Sequence, residues 1–292
     1  MKKWVRKQKK AGSMHPIVSV SWLSDRLADP NLVIFDATLP PVGVLPKVDT
    51  RGRYLAQHIP GAVFFDIDEL SDHSTPLPHM LPTSEAFAEN MATLGIGDGM
   101  QIVVYEQEGV FSAPRAWWML RTFGAERVFL LDGGLQAWIA AGLPVESGAV
   151  TRSRADFHAR LNAEAVKDFA HLEQAIAQHG QILDARSAGR FTGAAPEPRP
   201  GLSSGHMPGA TNVPFTELAR DGKLKPAEEL REYFAAKSVD LEQPITTTCG
   251  SGVTAAVIAL ALEVAGATKV GLYDGSWAEY AQRPEAEIVK DK

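Results

Sequence analysis

The sequence predicts an α/β fold of two tandem domains, each a parallel sheet with helices on both faces. In both halves of the chain, short apolar runs typical of buried strands alternate with longer stretches of helical periodicity. The chain also repeats itself, since HIPGA at 58–62 is matched by HMPGA at 206–210, and DGG at 132–134 by DGS at 274–276. Two motifs that recur in the same order indicate a duplicated domain.

The individual elements follow from local patterns. Strands are predicted where β-branched or apolar runs end at a turn signal. They are residues 32–35, 63–65 and 101–105 in the first half and residues 181–183, 211–213 and 245–248 in the second. Helices are predicted over residues 19–27, where Ser19 can cap the first turn, and over residues 253–262. The register of the repeat places Glu106 opposite Cys249, so only the second half has a cysteine at this position.

Length and composition fit two compact domains, since the chain has 292 residues of which 45% are hydrophobic. We predict an N-terminal domain over residues 14–148, a linker over residues 149–165, and a C-terminal domain with Cys249 over residues 166–292. Residues 1–13 form a basic tail, which we expect to be disordered.

Charge and hydropathy exclude several function classes. The net charge is −6 although the tail is rich in lysine and arginine, so the rest of the chain is acidic and unsuited to nucleic acid. The most apolar run, residues 253–267, contains Glu263 and is too short to cross a bilayer, so no membrane association is predicted. The tail lacks the apolar segment of a secretory signal, and a single cysteine fits a reducing compartment. We therefore expect a cytoplasmic protein.

The single cysteine lies in the most informative stretch, residues 244–262, where a β-favouring run ends at Cys249 and an apolar helix pattern follows. Gly250 and Gly252 permit an unusual backbone between the two. A strand, a tight loop and a helix N-terminus direct backbone N–H groups inward and stabilise an anion, here the Cys249 thiolate. A buried, inert cysteine is the alternative, but Gly-Ser-Gly is poor core material.

Residues 249–255, CGSGVTA, resemble the active-site loop of the 3-mercaptopyruvate sulfurtransferases. With the repeated motifs, they make residues 17–290 similar to the tandem rhodanese-family sulfurtransferases. The resemblance implies two rhodanese-like domains, the first without the catalytic cysteine. Thiosulfate sulfurtransferases of this family typically carry two basic residues where this chain has Gly250 and Ser251, because a dianionic donor favours cations in the loop.

Two arginines lie in a long loop rich in glycine and proline, and such loops are often functional. The resemblance implies that Arg190 and Arg199 bind the carboxylate and ketone region of the substrate. A planar guanidinium can bind a carboxylate through two hydrogen bonds, which supports this assignment. From the residues alone, a solvated arginine or a salt bridge to Glu197 remains the alternative.

The resemblance also implies a relay of Ser251, His79 and Asp68, assembled from both halves as in the animal members of the family. The carboxylate would orient the imidazole, and the imidazole would polarise the serine hydroxyl. From the residues alone, Asp68 is equally a helix N-cap and His79 a loop histidine.

The activity implied is sulfur transfer, in which Cys249 takes sulfur from 3-mercaptopyruvate, forms a persulfide and releases pyruvate. Backbone N–H groups of the loop from Gly250 to Thr254, which includes Gly252 and Val253, would stabilise the anion. The sulfur then passes to cyanide or to a thiol acceptor, such as thioredoxin or a low-molecular-weight thiol. No cofactor is expected, and no Cys/His cluster or phosphate-binding loop predicts a metal or nucleotide site.

Three alternatives stay open at this stage. A thiosulfate:cyanide sulfurtransferase would share the fold and the nucleophile but favours a basic loop. A cysteine phosphatase would need the arginine of a Cys-x5-Arg motif, where this chain has Ala255. A non-catalytic persulfide carrier would have the same sequence features, and only a turnover assay separates it from an enzyme.

Overall fold

The computed structural model describes residues 15–291 and contains two five-stranded parallel sheets. The predicted basic tail, residues 1–13, lies outside the described residues. The first sheet consists of β1 (Ile17–Val18), β2 (Leu32–Asp36), β3 (Val63–Phe64), β4 (Gln101–Tyr105) and β5 (Arg127–Leu131). The second consists of β6 (Val166–Lys167), β7 (Gln181–Asp184), β8 (Thr211–Asn212), β11 (Ile245–Thr248) and β12 (Val270–Tyr273), and the hairpin β9 (Ala219–Arg220) and β10 (Lys223–Leu224) stands apart from it.

The two sheets have the same topology, which confirms the predicted duplication. The strand order is β1-β5-β4-β2-β3 in the first and β6-β12-β11-β7-β8 in the second, and every pair within these sheets is parallel. Parallel neighbours require crossover connections, and helices supply most of these.

The helices of the first half are α1 (Val20–Ser24), α2 (Thr50–Ala56), α3 (Ser84–Thr93), α4 (Ala113–Thr122) and α5 (Gly134–Ala140). Those of the second half are α6 (Phe169–Ala177), α7 (Ala188–Thr192), α8 (Ala227–Ala236), α9 (Ala255–Ala265) and α10 (Ser276–Tyr280). Short 3₁₀ turns lie at Ala163–Ala165 and Phe215–Glu217. No helix within residues 15–291 has the length and apolar character needed to cross a membrane.

The two halves share one hydrophobic cluster. Helices α4 and α9, which follow the central strands β4 and β11, pack against each other, and nearly every residue of both helices is buried. Burial on all sides explains why α9 reads as a continuous apolar run with Glu263 as its only charge. The interface between the halves therefore lies directly behind the loop that contains Cys249.

Some predicted boundaries were wrong by a few residues. Ser19 does cap α1 by accepting a hydrogen bond from the Trp22 N–H, but the helix ends at Ser24 instead of Leu27. Helix α9 begins at Ala255, since residues 253–254 still belong to the loop.

Residues 151–162, inside the predicted linker, form no helix or strand but bind to the first half. The backbone N–H groups of Ala155, Arg160 and Asn162 donate to carbonyl groups at the C-terminal ends of α3 and α4. This segment is consequently fixed along the N-terminal half.

Candidate active site

Cys249 lies at the carboxyl end of β11, in a cavity of about 240 Å³ between the two halves. The end of a central parallel strand is a common position for a binding site in α/β folds. Its side chain is buried, with 2% of its surface exposed. The first half contributes Leu39, Pro41, Val42, His79 and Phe111 to the cavity wall. The second half contributes Phe215, the cysteine loop (residues 249–254) and the arginine segment (residues 186–199).

The repeated DGS motif holds the cysteine loop in place. The N–H groups of Trp277 and Ala278, in the first turn of α10, donate to the carbonyl oxygens of Cys249 and Gly250 at 2.9 and 3.0 Å. The Cys249 N–H donates to the Ser276 hydroxyl at 3.4 Å. These three hydrogen bonds fix the direction in which the loop leaves the strand.

The cysteine loop presents unused hydrogen-bond donors. Within the described residues, no protein group accepts a hydrogen bond from the backbone N–H groups of residues 250–254. Gly252 has φ +80°, a conformation that favours glycine, and a Cβ there would lie 2.9 Å from Nη1 of Arg115. The loop can therefore stabilise an anion that is bound at its centre.

The expectation that both arginines lie in a loop was wrong for Arg190, which belongs to helix α7, whereas Arg199 lies in the irregular stretch that follows. A buried carboxylate, that of Glu197, organises this arginine segment, residues 186–199. Glu197 accepts two hydrogen bonds from Nε of Arg190 at 3.1 Å and one from its Nη2 at 2.6 Å. Glu197 also accepts from Arg186 at 2.8 Å, and Arg186 in turn binds Asp184 at the end of β7. The salt bridge considered for the arginines thus exists for Arg190, and it orients that side chain towards the cavity.

Arg199 differs from Arg190, because it makes no salt bridge within residues 15–291. Its Nη2 donates to the Ser251 hydroxyl at 3.1 Å. Burial lowers the pKa of Arg199 from its usual value. A partly desolvated cation with no carboxylate within salt-bridge distance in the described chain is well suited to bind an anionic ligand.

Both arginines flank the backbone beside the cysteine. A Cβ atom on Gly250 would lie 2.9 Å from Nη2 of Arg190 and 3.4 Å from Nη1 of Arg199. Glycine at this position therefore allows two guanidinium groups to approach the loop.

The three residues of the predicted relay are in hydrogen-bond contact. Nδ1 of His79 is 2.9 Å from Oγ of Ser251, and Nε2 of His79 is 3.0 Å from Oδ1 of Asp68. Since the carboxylate accepts from Nε2, Nδ1 is left to accept from the serine hydroxyl. The hydrogen bond from His79 holds the pKa of Asp68 below its usual range. The relay therefore joins the two halves at Ser251.

The structure brings most of the predicted site residues to one cavity. Cys249, Ser251, His79, Arg190, Arg199, Gly250, Val253 and Thr254 line it. Asp68 lies behind His79, and Gly252 faces Arg115 and Asp274 instead of the cavity. Within the described residues, no group of His, Cys, Asp and Glu side chains could hold a metal ion.

Sequence reasoning missed Arg115 and gave Asp274 no role at the site beyond the repeated motif, although both charged residues support it. Arg115 is fully buried on α4 and binds Asp274 across the domain interface at 2.8 Å. One signal was available, because a lone arginine interrupts the otherwise apolar start of α4. A charged residue at a buried position requires a partner.

Comparison with known proteins gives a consistent family. A model of the rhodanese-like domain matches residues 19–141 and 168–283. The chain is 47% identical to the 3-mercaptopyruvate sulfurtransferase of Escherichia coli (strain K12), over 93% of this chain and 96% of that protein. It is 41% identical to the thiosulfate sulfurtransferase of Bos taurus, over 94% of this chain and 96% of that one.

A solved structure agrees with this result. The crystal structure of SseA from Escherichia coli, described as having the rhodanese fold, is similar with a TM-score of 0.84 and 46% identity. The similarity covers 90% of this chain and 99% of that chain.

Proposed function

The chain belongs to the rhodanese family, and from this premise we propose that it is a 3-mercaptopyruvate sulfurtransferase. The observation that carries the choice of donor is the position of the cations. Gly250 and Ser251 give the cysteine loop itself no charge, and the two guanidinium groups beside it come from helix α7 and from the irregular stretch after it. This arrangement suits a donor whose negative charge, a carboxylate, lies some distance from the sulfur atom that reacts.

The first half-reaction forms the persulfide. The Cys249 sulfur attacks the sulfur atom of 3-mercaptopyruvate, an S–S bond forms, and the C–S bond of the donor breaks. Its electron pair moves into the enolate of pyruvate, which takes up a proton at carbon. The thiol proton of the donor balances this proton, so the products are pyruvate and the Cys249 persulfide anion. The unused N–H groups of residues 250–254 would stabilise that anion.

The relay of Ser251, His79 and Asp68 holds and transfers the thiol proton of the donor. Ser251 donates to His79 and accepts from Arg199, so its hydroxyl stands between a base and a cation. Asp68 fixes the tautomer in which Nδ1 of His79 can accept a proton. General acid–base catalysis of this kind typically contributes about 10²–10⁴-fold to a rate.

Arg199 and Arg190 bind the donor carboxylate. Arg199 is the principal partner, since its guanidinium has no carboxylate beside it within the described chain. Arg190 already shares three hydrogen bonds with Glu197 and offers its remaining donors. We expect the two arginines to contribute unequally for this reason.

The second half-reaction transfers the outer sulfur to a thiol acceptor or to cyanide. A low-molecular-weight thiol or a protein thiol such as thioredoxin would enter the same cavity. A reducing compartment keeps a free cysteine available as a thiol, which supports the cytoplasmic location that we expected.

Side-by-side steady-state kinetics with 3-mercaptopyruvate and thiosulfate test the proposal. We expect kcat/KM to be at least about tenfold higher for 3-mercaptopyruvate, which corresponds to roughly 1.4 kcal/mol of discrimination. A preference for thiosulfate would favour the sibling activity. Persulfide formation without turnover of either donor would favour a persulfide carrier.

A further inference from the structure

A buried ion pair connects the two halves immediately behind the relay. Arg115 lies on α4 of the first half and has no exposed surface. Its Nη2 donates to Oδ1 of Asp274 at 2.8 Å, and Asp274 follows β12 of the second half with only 4% of its surface exposed. The guanidinium also lies over the Trp118 ring, 4.6 Å from its centroid.

This ion pair holds both ends of the segment that carries His79. Nη2 of Arg115 also donates to the carbonyl oxygen of His79. The other carboxylate oxygen of Asp274 accepts from the Leu81 N–H at 2.8 Å. His79 has φ +61°, which is an unfavourable conformation for a residue with a side chain. Residues 79–81 belong to no helix or strand, and their backbone is fixed by these two charged groups and by the hydrogen bond from the Asp72 N–H to the Met80 carbonyl oxygen at 2.9 Å.

The same arginine contacts the cysteine loop. Nη1 of Arg115 donates to the carbonyl oxygen of Gly252 at 3.4 Å, and Gly252 directly follows Ser251. His79 and the cysteine loop are therefore joined twice, once through the imidazole and the serine hydroxyl and once through their backbones and Arg115.

We propose that Arg115 and Asp274 are positioning residues, which set the distance between His79 and Ser251 across the domain interface. This inference rests on the proposed function, because it assigns Arg115 and Asp274 a role in sulfur transfer by that relay. It also gives the first half a second task besides supplying the relay side chains. A misplacement of a catalytic group by about 1 Å can lower a rate on the order of 10²-fold.

The test is Arg115→Lys, which keeps the buried charge. A lysine has a single nitrogen atom and cannot reproduce the contacts of Nη1 and Nη2 with Gly252, His79 and Asp274. We expect kcat with 3-mercaptopyruvate to fall about 10–100-fold while KM changes less than about twofold, because Arg199 and Arg190 still bind the carboxylate. Asp274→Asn keeps the volume and one acceptor oxygen, so it should give the same pattern with a smaller loss. It serves as the second variant if Arg115→Lys fails to melt cooperatively.

The matched control is Arg121→Lys, on the same helix. Arg121 also makes an ion pair across the interface, with Glu263, and also lies over a tryptophan ring, that of Trp117 at 4.8 Å. It has no contact with residues 79–81 or with the cysteine loop. We expect kcat of this variant to remain at the wild-type level. An equal loss in both variants would mean that any interface ion pair acts only through stability, and the proposal would be wrong.

A double-mutant cycle supplies the readout that a structural role would not give. If Arg115 acts through His79, then Arg115→Lys should change kcat less than about twofold in a His79→Ala background. An undiminished effect in that background would overturn the proposal, as would a His79→Ala variant with wild-type kcat. Absence of 3-mercaptopyruvate turnover in the wild-type protein would instead reject the proposed function, and the two failures are thereby distinguished.

Discussion

The loops after β4 and β11 occupy equivalent positions in the two sheets but satisfy their backbones in different ways. In the first, the Glu106 carboxylate accepts hydrogen bonds from the N–H groups of Phe111 at 2.7 Å, Ser112 at 3.0 Å and Ala113 at 3.2 Å. In the second, the N–H groups of residues 250–254 have no acceptor within the described chain. The Glu106 side chain thus fills a backbone cradle formed by the N–H groups of residues 111–113, whereas the cradle formed by the N–H groups of residues 250–254 is left available.

The surroundings of the two loops differ as well. The cysteine loop is flanked by Arg190 and Arg199. A segment of the first half, residues 79–81, places His79 in contact with it. Beside the Glu106 loop, Arg53 is already paired with Glu108 of that loop. The β9–β10 hairpin of the second half brings Lys223 to Asp132 at 3.2 Å. The comparison teaches that both halves keep this loop and a contact to it from the other half, whereas the proposed nucleophile and the two arginines that flank it belong to the second half alone.

The largest effect is expected when the cysteine is removed. Cys249→Ser should lower sulfur transfer to below about 1% of the wild-type rate, because a hydroxyl cannot carry the persulfide sulfur. Intact-mass measurement after treatment with 3-mercaptopyruvate should show one added sulfur atom on the wild-type protein and none on the variant.

A cooperative melt close to that of the wild type is the control for Cys249→Ser, since serine is nearly isosteric with cysteine. Substantial turnover in a folded variant would mean that another group carries sulfur. The contrast between a reactive cysteine loop and a silent loop, the Glu106 loop without a cysteine, would then fail.

The second prediction concerns Arg190 and Arg199, the two arginines that flank the cysteine loop. Arg199→Ala should lower kcat/KM for 3-mercaptopyruvate by about 100-fold and Arg190→Ala by about tenfold, or roughly 2.7 and 1.4 kcal/mol. The order follows from the contacts, because Arg199 has no carboxylate beside it whereas Arg190 shares Glu197 with Arg186. Steady-state kinetics with both donors provide the measurement.

Arg199→Lys is the matched variant, since it keeps the charge and loses the two-pronged geometry, and it should recover part of the loss. Thiosulfate turnover should decrease less in all three variants, because that donor has no carboxylate. Equal losses for the two donors would show that the arginines support the loop and do not recognise the substrate.

Much of this arrangement could be predicted from the sequence. The strand, loop and helix around Cys249 follow from β-branched residues, two glycines and an apolar run, all of which act locally. The motif order revealed the duplication, and with it the position of Glu106. Resemblance supplied Asp68 and His79, which lie far from Ser251 in sequence and which no local pattern could have brought together.

The remaining features depend on tertiary contacts that a single sequence does not encode in a readable form. Whether Arg190 or Arg199 would pair with Glu197 depended on the path of an irregular loop. The contact of Arg115 with Asp274 joins residues from different halves through a buried interface. The sequence indicated that a charge stood in an apolar helix but not which partner would neutralise it.

The smallest effect is expected at the silent loop and concerns stability, not turnover. Burial raises the pKa of Glu106 to about 7 from 4.5, although the N–H groups of Phe111, Ser112 and Ala113 oppose the rise. Between pH 4.5 and about 7, Glu106 therefore keeps its proton in the folded state and has released it in the unfolded chain. The stabilisation from this proton is complete below pH 4.5 and is lost as the pH rises through about 7. By linkage the loss is at most about 3 kcal/mol.

Glu106→Gln removes the ionisable group and keeps its size, so the free energy of unfolding of this variant should depend less on pH between 5 and 8 than that of the wild type. Urea unfolding at a series of pH values gives the measurement, and Glu126→Gln, the same substitution at an exposed position, is the control. Sulfur transfer should be unchanged in both variants, because Glu106 lies in the other cradle. Parallel pH curves for the wild type and Glu106→Gln would mean that the cradle keeps its carboxylate charged at every pH tested. A loss of turnover in Glu106→Gln would show that the two loops are coupled through the packed helices α4 and α9, and that the first loop is not silent.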